Sequence, residues 1–562
     1  MTKLYLFIFC LLLSVVTVHA AFWDWKAMES NHFRLYYPQQ YSEQALTTIE
    51  ILENSIPLVE KVVPNPFFRK IPIILEDFGQ VANGFVIPFP MKVNLMMYKG
   101  NFTSYQNYVR LLSVHELVHA MHLSMVSKGP RALSFVFGPL FYPHIYTPRW
   151  FTEGLAVVAE SDYSAYEGRL NDARQWGYFK QVSRRGELKS LGDITAYFSS
   201  EFPYGATPYL YGSQFLNYLR TVYGQEKLNR LLHSFGGSFT SYAMMLFPSM
   251  SLDKLAWQVY GKSIERLYQE WQVDEKEQSD DWHIVGKSIS DDRGVKPFLL
   301  VNDERLYMFH RHVDHPDSFY YKRVSGISKY DSELDSWSLV KRLYRSTDQP
   351  FEIRGSSLYI TFPQMQSGFT NITMFGYGVI QELVNLDLVT GEETTVFKDK
   401  IDAFTVYQDD SNDHIIFAQN RAWMSESILY RWENNVKQKF LSLPISVSEL
   451  SSTSDLLVGV GQNRQNQWVV FTVDFSTLVV TEVFVSPWSL SHLTVDRSNE
   501  GNNVVFTVNK GRSLETYGLN FNTNEVRRLS SGDYADSGVV SGKGLFFTVI
   551  GGKGSGVYSQ KI

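Results

Sequence analysis

Cysteine is almost missing from this chain, with one, Cys10, in 562 residues. Ile8 and Phe9 before it do not make a lipobox, which argues against a lipid-anchored N-terminus. Cys10 also lies in a segment that reads as removed on export. The mature chain is therefore expected to use neither disulfides nor cysteine–metal sites, and any zinc must be held by histidines and carboxylates. Basic charge is not in excess either. The 52 Lys and Arg stand against 58 Asp and Glu, a formal net charge of −6, so there is no footprint for nucleic acid. After the first twenty residues no stretch approaches the roughly 18 uninterrupted apolar residues that a membrane-crossing helix needs.

Those first twenty residues have a pattern of their own. Lys3 supplies a positive start, Leu4 to Val16 is almost wholly apolar, and Val18-His19-Ala20 ends on a small residue. Residues 1–20 read as a secretory signal peptide, with an uncleaved N-terminal anchor as the other reading. Export without disulfides points to a bacterial periplasm more than to an animal extracellular space, and extracellular or membrane-associated placement stays open. The chain is 44% apolar and 20% charged, as a globular protein is, and long enough for two or three domains.

Two textures follow. Residues 21–280 mix strands with helices. His32 to Tyr37, Ile71 to Glu76 and parts of Val81 to Met97 read as extended. Ser42 to Val63, Tyr105 to Val126, Arg149 to Glu160, Pro208 to Tyr223, Glu226 to Phe235 and Leu252 to Val273 have helical periodicity, which makes this an α+β region. From about residue 285 to 562 the helical period disappears and short apolar strands recur. Six of them centre on residues 308, 360, 416, 458, 505 and 547, at spacings of 52, 56, 42, 47 and 42. Hairpin turns keep the same beat at Leu388-Val-Thr-Gly-Glu, Trp432-Glu-Asn-Asn-Val, Phe475-Ser-Thr-Leu and Phe521-Asn-Thr-Asn-Glu. That period predicts an all-β propeller of about six blades, with a large β-sandwich as the alternative. Met365 to Tyr377, rich in Gly and aromatics, reads as an insertion. No Trp-Asp repeat is present. The rhythm resembles the TolB-type six-bladed propellers of bacterial periplasmic proteins.

Chemistry concentrates at His115-Glu116-Leu117-Val118-His119. Residues four apart share a helix face, so both imidazoles can reach one ion, and Glu116 lies beside it as a base. The flanks are apolar, and burying two His and a Glu without a metal would be costly. Downstream stands Pro148-Arg149-Trp150-Phe151-Thr152-Glu153-Gly154-Leu155-Ala156, with Glu160 two helical turns beyond Glu153. Further on come Pro208-Tyr209-Leu210-Tyr211-Gly212, and upstream Val81-Ala82-Asn83-Gly84-Phe85. Three other features take plain readings: His122 as a packed neighbour, His310, His312 and His315 as a strand cluster, and Gly551-Gly-Lys-Gly-Ser-Gly as a loop. The apolar run Ser134 to Tyr146, broken by Gly138, Pro139 and Pro143, is expected near the cleft mouth or folded onto the core.

The Trp-x-x-Glu-Gly-x-Ala pattern after HExxH resembles gluzincins, the thermolysin and aminopeptidase-N superfamily. By that resemblance Glu153 is the third zinc ligand and Glu160 supports the ligands from behind. Tyr209, in Tyr-x-x-Gly, stabilises an oxyanion, with Tyr211 as fallback. The Ala82-Asn83-Gly84 stretch resembles the substrate-pairing edge strand of bacterial peptidase MA-like proteins. The likeness runs from about residue 30 to 235. The metzincin Gly and third His are absent, and so is the Gly-x-Met-x-Asn motif of true aminopeptidases. The family then implies one zinc ion per chain and an exported peptidase, an endopeptidase by the missing amine-recognition motif, acting on a peptide or protein substrate. The rival is a periplasmic scaffold or binding protein whose propeller carries the function. A protein partner on the propeller and peripheral membrane contact are further expectations.

Overall fold

A computed structural model of the chain describes residues 24–562, except 66–68, 100–103, 139–141, 197–200, 238–249, 291–294, 303–304, 315–321, 344, 346–350, 366–377, 410–411 and 497–502. The signal segment, the inserted run, Phe141 and His315 thus lie outside the described residues. Among those described, no helix is long and apolar enough to cross a membrane.

The N-terminal part is an α+β region. Five strands, β1 (Trp25–Glu29), β2 (Phe33–Pro38), β3 (Ile71–Glu76), β4 (Gly84–Pro88) and β5 (Met91–Met96), form one sheet in the order β1-β2-β3-β5-β4. In β3 buried and half-buried residues strictly alternate, as expected for a strand with one face on a core. β2, β3 and β5 run parallel, while β4 pairs antiparallel with β5 and, among the described residues, is the last strand of the sheet. Helix α1 (Ser42–Val62) packs on the sheet.

Helix α2 (Tyr108–Leu123) carries HExxH. Its N-cap, Asn107, accepts the Arg110 N–H at 3.1 Å. From Leu111 to His122 every residue is buried, so the helix is enclosed on all sides rather than on one stripe. Later in the chain follow α3 (Lys128–Phe137), α4 (Arg149–Ser161), which packs against it, α5 (Ala173–Arg185), α6 (Leu191–Thr195) and α7 (Thr207–Tyr223). Then come α8 (Gln225–Gly237), α9 (Met250–Tyr260) and α10 (Ile264–Glu277). The continuous helix expected over 252–273 is two, broken at Gly261, whose φ is +74°. The apolar run after Ser134 also divides. Ser134 to Phe137 end a mostly exposed helix at Gly138, φ +71°, whereas His144 is fully buried in a 3-10 turn.

Beyond residue 286 the chain builds six four-stranded antiparallel sheets, a six-bladed β-propeller. Each of the six recurring apolar strands is the second strand of its blade: Arg305–Asp314, Ser357–Met365, Asn412–Asn420, Leu456–Asn463, Asn503–Asn509 and Gly544–Gly551. Where the described residues show it, that strand is buried on both faces and the fourth strand is largely exposed. The sixth blade is closed by sequence-distant pairing. Lys287–Ser288 adds to the strand Gly554–Lys561, with Ser288 opposite Tyr558. Gly551-Gly-Lys-Gly is the hairpin before that strand.

Blades 2 to 6 touch the α+β region. Trp468 donates its indole N–H to the Tyr105 carbonyl at 2.8 Å, and Gln80 donates to the Ile401 carbonyl at 2.7 Å. Gly79 pairs with Val379 as a β-bridge, and a Cβ at Gly79 would lie 2.2 Å from the Val379 oxygen. One apolar cluster runs from α2 and α4 into Val458, Val460, Trp468 and Phe506 of the propeller.

Candidate metal centre

The four-residue step along α2 turns His115 and His119 onto one face, towards α4. Their Nε2 atoms are 3.2 Å apart. Glu153, one turn into α4, brings Oε2 to 3.2 Å from His119 Nε2 and 3.5 Å from His115 Nε2. One donor atom from each of the three residues lies within 4.8 Å of the others.

Glu160, two turns on from Glu153, meets the far side of the same ring, with Oε2 2.8 Å from His115 Nδ1. A carboxylate can only accept, so Nδ1 carries the proton and Nε2 turns its lone pair to the cluster. Burial alone would lower the His115 pKa, but Glu153 and Glu160 outweigh it and lift it to about 9. Burial pushes Glu153 up, and the two imidazoles more than reverse that, holding it well below the usual carboxylate range. Both shifts have one cause, the mutual attraction of the imidazoles and the carboxylates packed against them. The cluster's donor set, two imidazole nitrogens and one carboxylate oxygen, is the kind that suits a catalytic zinc with an open fourth position. Beside the two imidazoles Glu153 Oε2 makes no hydrogen bond of regular geometry, and His119 Nδ1 is buried without a partner.

Glu116 points past the cluster towards the edge strand. A Cβ built on Gly84 would stand 2.7 Å from Glu116 Cγ and Oε1, so β4 and this carboxylate lie side by side only because residue 84 lacks a side chain. Glu116 is buried, Oε2 has no partner, and burial raises its pKa above the ordinary carboxylate value. Ala82 packs against the core, and Asn83 holds the strand start by accepting the Met96 N–H at 3.0 Å through its carbonyl.

Tyr209 comes from α7, stacked 18° off parallel at 6.1 Å from the His115 ring. Burial and the Glu153 charge push its phenol up to about 12, so it remains an O–H donor. Tyr211 turns away into an aromatic core and contacts the Tyr178 hydroxyl at 3.1 Å. Two glycines make Tyr209's approach possible. A Cβ on Gly154 would come to 2.5 Å from the Gly212 carbonyl carbon, and one on Gly212 to 1.9 Å from the Trp150 oxygen. Helices α4 and α7 therefore cross at backbone contact.

Two arginines went unnoticed in the sequence. Arg149 Nε lies 3.5 Å from Glu153 Oε1. Arg169 Nε lies 3.4 Å from Glu160 Oε1, and its guanidinium sits 4.9 Å from the Tyr209 ring centre. Arg149 directly precedes the quoted Trp150, but no periodicity could have placed Arg169, which opens a single 3-10 turn. His122 is fully buried against His144, ring centres 4.3 Å apart, and both its ring nitrogens lack a hydrogen-bond partner. His310 contacts Ser328 Oγ at 3.1 Å within blade 1.

No family model matches the chain. It is 34% identical over 123 residues to an uncharacterized protein of Treponema pallidum (strain Nichols), a stretch covering 22% of this chain and about a tenth of that relative's length. Among solved structures it is similar to TolB from Acinetobacter baumannii, at 15% identity and a TM-score of 0.32 over 43% of this chain and 55% of that one. Acylaminoacyl peptidase from Pyrococcus horikoshii gives 11% and 0.33, over 49% and 53%. The β-propeller domain of the Trilobed protease from Pyrococcus furiosus gives 10% and 0.31, over 47% and 95%. Likeness of that degree carries no chemistry across, and the six-bladed architecture rests on the chain's own sheets.

Proposed function

We propose that this chain is a zinc-dependent peptidase, an endopeptidase, with zinc held by His115, His119 and Glu153. The observation that carries this reading is the convergence of those three donors within 4.8 Å, with the buried Glu116 carboxylate beside them. Residues 21–280 then form a gluzincin-type peptidase region. Residues 1–20 are an export signal, and the protein works in the periplasm. The propeller, 285–562, serves substrate or partner binding.

When bound, zinc supplies a Lewis acid that polarises a carbonyl and makes water acidic enough to lose a proton near neutrality. The chain's own groups do the remainder. An extended substrate adds as a strand to the free edge of β4, with its scissile bond beside Gly84. Glu116, sheltered from bulk water and with one oxygen uncommitted, takes a proton from the attacking water and delivers it to the leaving amine. Tyr209 donates its O–H to the oxyanion that develops on the carbonyl carbon's former double-bonded oxygen. Glu160 keeps His115 in the tautomer that presents Nε2.

The test is elemental analysis paired with a cleavage profile on a denatured-peptide library. The expected outcome is one zinc per chain, lost in Glu153→Ala. Glu116→Gln should keep zinc and fold but lose hydrolysis. A native protein that neither contains nor takes up zinc would sink the reading, and a fully active Glu116→Gln would remove Glu116 from it.

A further inference from the structure

A continuous series of polar contacts joins the metal cluster to the propeller. It starts at Glu160, whose Oε2 meets His115 Nδ1 and whose Oε1 accepts the backbone N–H of Arg169 at 3.2 Å. Arg169 opens a 3-10 turn, Arg169–Asn171, that lies over α4. Leu170 N–H donates to Ser161 Oγ at 3.0 Å, and the Asn171 amide donates to the carbonyls of Ser161, Ser164 and Glu167. The next residue, Asp172, caps α5 and is gripped by the propeller. Asn509, at the end of the second strand of blade 5, donates to Asp172 Oδ1 at 2.9 Å and accepts the Ala173 N–H at 2.9 Å. Asp536, opening the first strand of blade 6, takes both arms of Arg174 at 2.8 Å, and Arg174 also donates to Ser491 Oγ at 2.8 Å. Glu160, Asp172 and Asn509 are all 1% exposed.

The segment between Glu160 and α5, Ser161-Asp-Tyr-Ser-Ala-Tyr-Glu-Gly-Arg-Leu-Asn-Asp, has little apolar side chain with which to order itself. Its conformational entropy must be offset by contacts from outside. A bidentate charged pair and a reciprocal amide pair, both placed at its far end, are the kind that fix geometry rather than merely adhesion.

We infer that Asn509 and Asp536 are positioning residues for the metal centre: the propeller fixes the 169–174 segment, which fixes Glu160, which orients His115. This rests on the zinc reading above. The catalytic region is then complete only when docked on blades 5 and 6.

The experiment uses the full chain with Asp536→Ala, Asn509→Ala and, as control, Asp474→Ala in an exposed turn of blade 4 that bonds only its own loop. Zinc affinity is measured by competition with a chelator, and the visible absorption of the cobalt-substituted protein reports ligand geometry. The first two variants should bind zinc about 10–100-fold more weakly and shift the cobalt bands, as loss of a supporting contact does, while thermal unfolding stays cooperative and Asp474→Ala matches the native protein. Should Asp536→Ala not fold, Asp536→Asn, which keeps volume and one acceptor, is read instead and should bind zinc more weakly than the native protein, with shifted cobalt bands. Folded variants with native zinc affinity and native cobalt bands overturn the propeller's role while leaving the zinc reading standing. A native chain that binds no zinc overturns both.

Discussion

At the scale of single residues the two tyrosines of the Tyr209-Leu-Tyr211 step separate chemistry from packing. Tyr209→Phe should lower kcat by about 10²–10³, the cost of one oxyanion donor, with zinc retained. Tyr211→Phe removes the contact to Tyr178 and should cost about 1 kcal/mol of stability with kcat unchanged. Steady-state kinetics on both variants check this, and equal losses of kcat would remove Tyr209 from the mechanism. Sequence reasoning preferred Tyr209 on the Tyr-x-x-Gly spacing and kept Tyr211 as fallback, because a spacing fixes which residues lie on a helix and not which face meets the His-His-Glu cluster. Buried histidines give a second expectation. Burial pulls His144 down to about 3 and His492 to about 4. An ordinary histidine titrates near 6.5, so the unfolded chain takes up protons that the fold refuses. Stability present above pH 6.5 is therefore lost as pH falls towards 4, by up to about 1.4 kcal/mol per pH unit for each residue. His492 has a φ of +55°, which Asn tolerates, so His492→Asn should flatten the thermal midpoint's dependence on pH in that window. An unchanged slope refutes it.

At the scale of elements the crossing of α4 and α7 is the most constrained contact in the molecule. Gly212→Ala puts a methyl against the Trp150 carbonyl and forces the helices apart, which typically costs about 1–3 kcal/mol. Because Glu153 and Tyr209 ride on the two helices, zinc affinity should fall with stability, read by chelator competition alongside thermal unfolding. A stable variant with native affinity would show that the site does not depend on the crossing. Burial explains which elements were legible. In blades 2, 4 and 5 the described second strand is buried on both sides over most of its length, so it stands out as an apolar run, whereas a fourth strand such as Val436–Leu443 is mostly exposed and reads as loop. Helix α5 was missed for the opposite reason. Its buried residues include Lys180, Gln181 and Ser183, and Lys180 is satisfied by Glu275 at 2.9 Å, so the helix is polar on average and does not stand out as an apolar segment. The His-His-Glu cluster was legible because its residues stand in short fixed spacings within two helical motifs. Asn509 was not, since its partners Asp172 and Ala173 lie 337 and 336 residues away in the chain.

At the scale of the whole molecule the two regions share an apolar cluster, which bears on whether 285–562 folds by itself. The ring is closed within that fragment, so it should unfold cooperatively. Its bare face, with Trp468, Trp488 and Tyr534, should make it self-associate. A fragment begun at 291 lacks Lys287–Ser288 and should have a lower thermal midpoint. Light scattering and calorimetry on the two fragments test this, and equal midpoints would deny that the closing strand matters. That closure also sets a timetable. Ser290 meets Val557 across 267 residues, so at ribosomal rates of roughly 5–20 residues per second the first strand waits on the order of tens of seconds for its neighbour. The N-terminal half emerges early and stands with its propeller-facing side uncovered until the last hairpin arrives. A nascent chain halted a few dozen residues short would carry every metal ligand yet have no finished ring to rest them on, and quality control would meet it as an unsealed, sticky half.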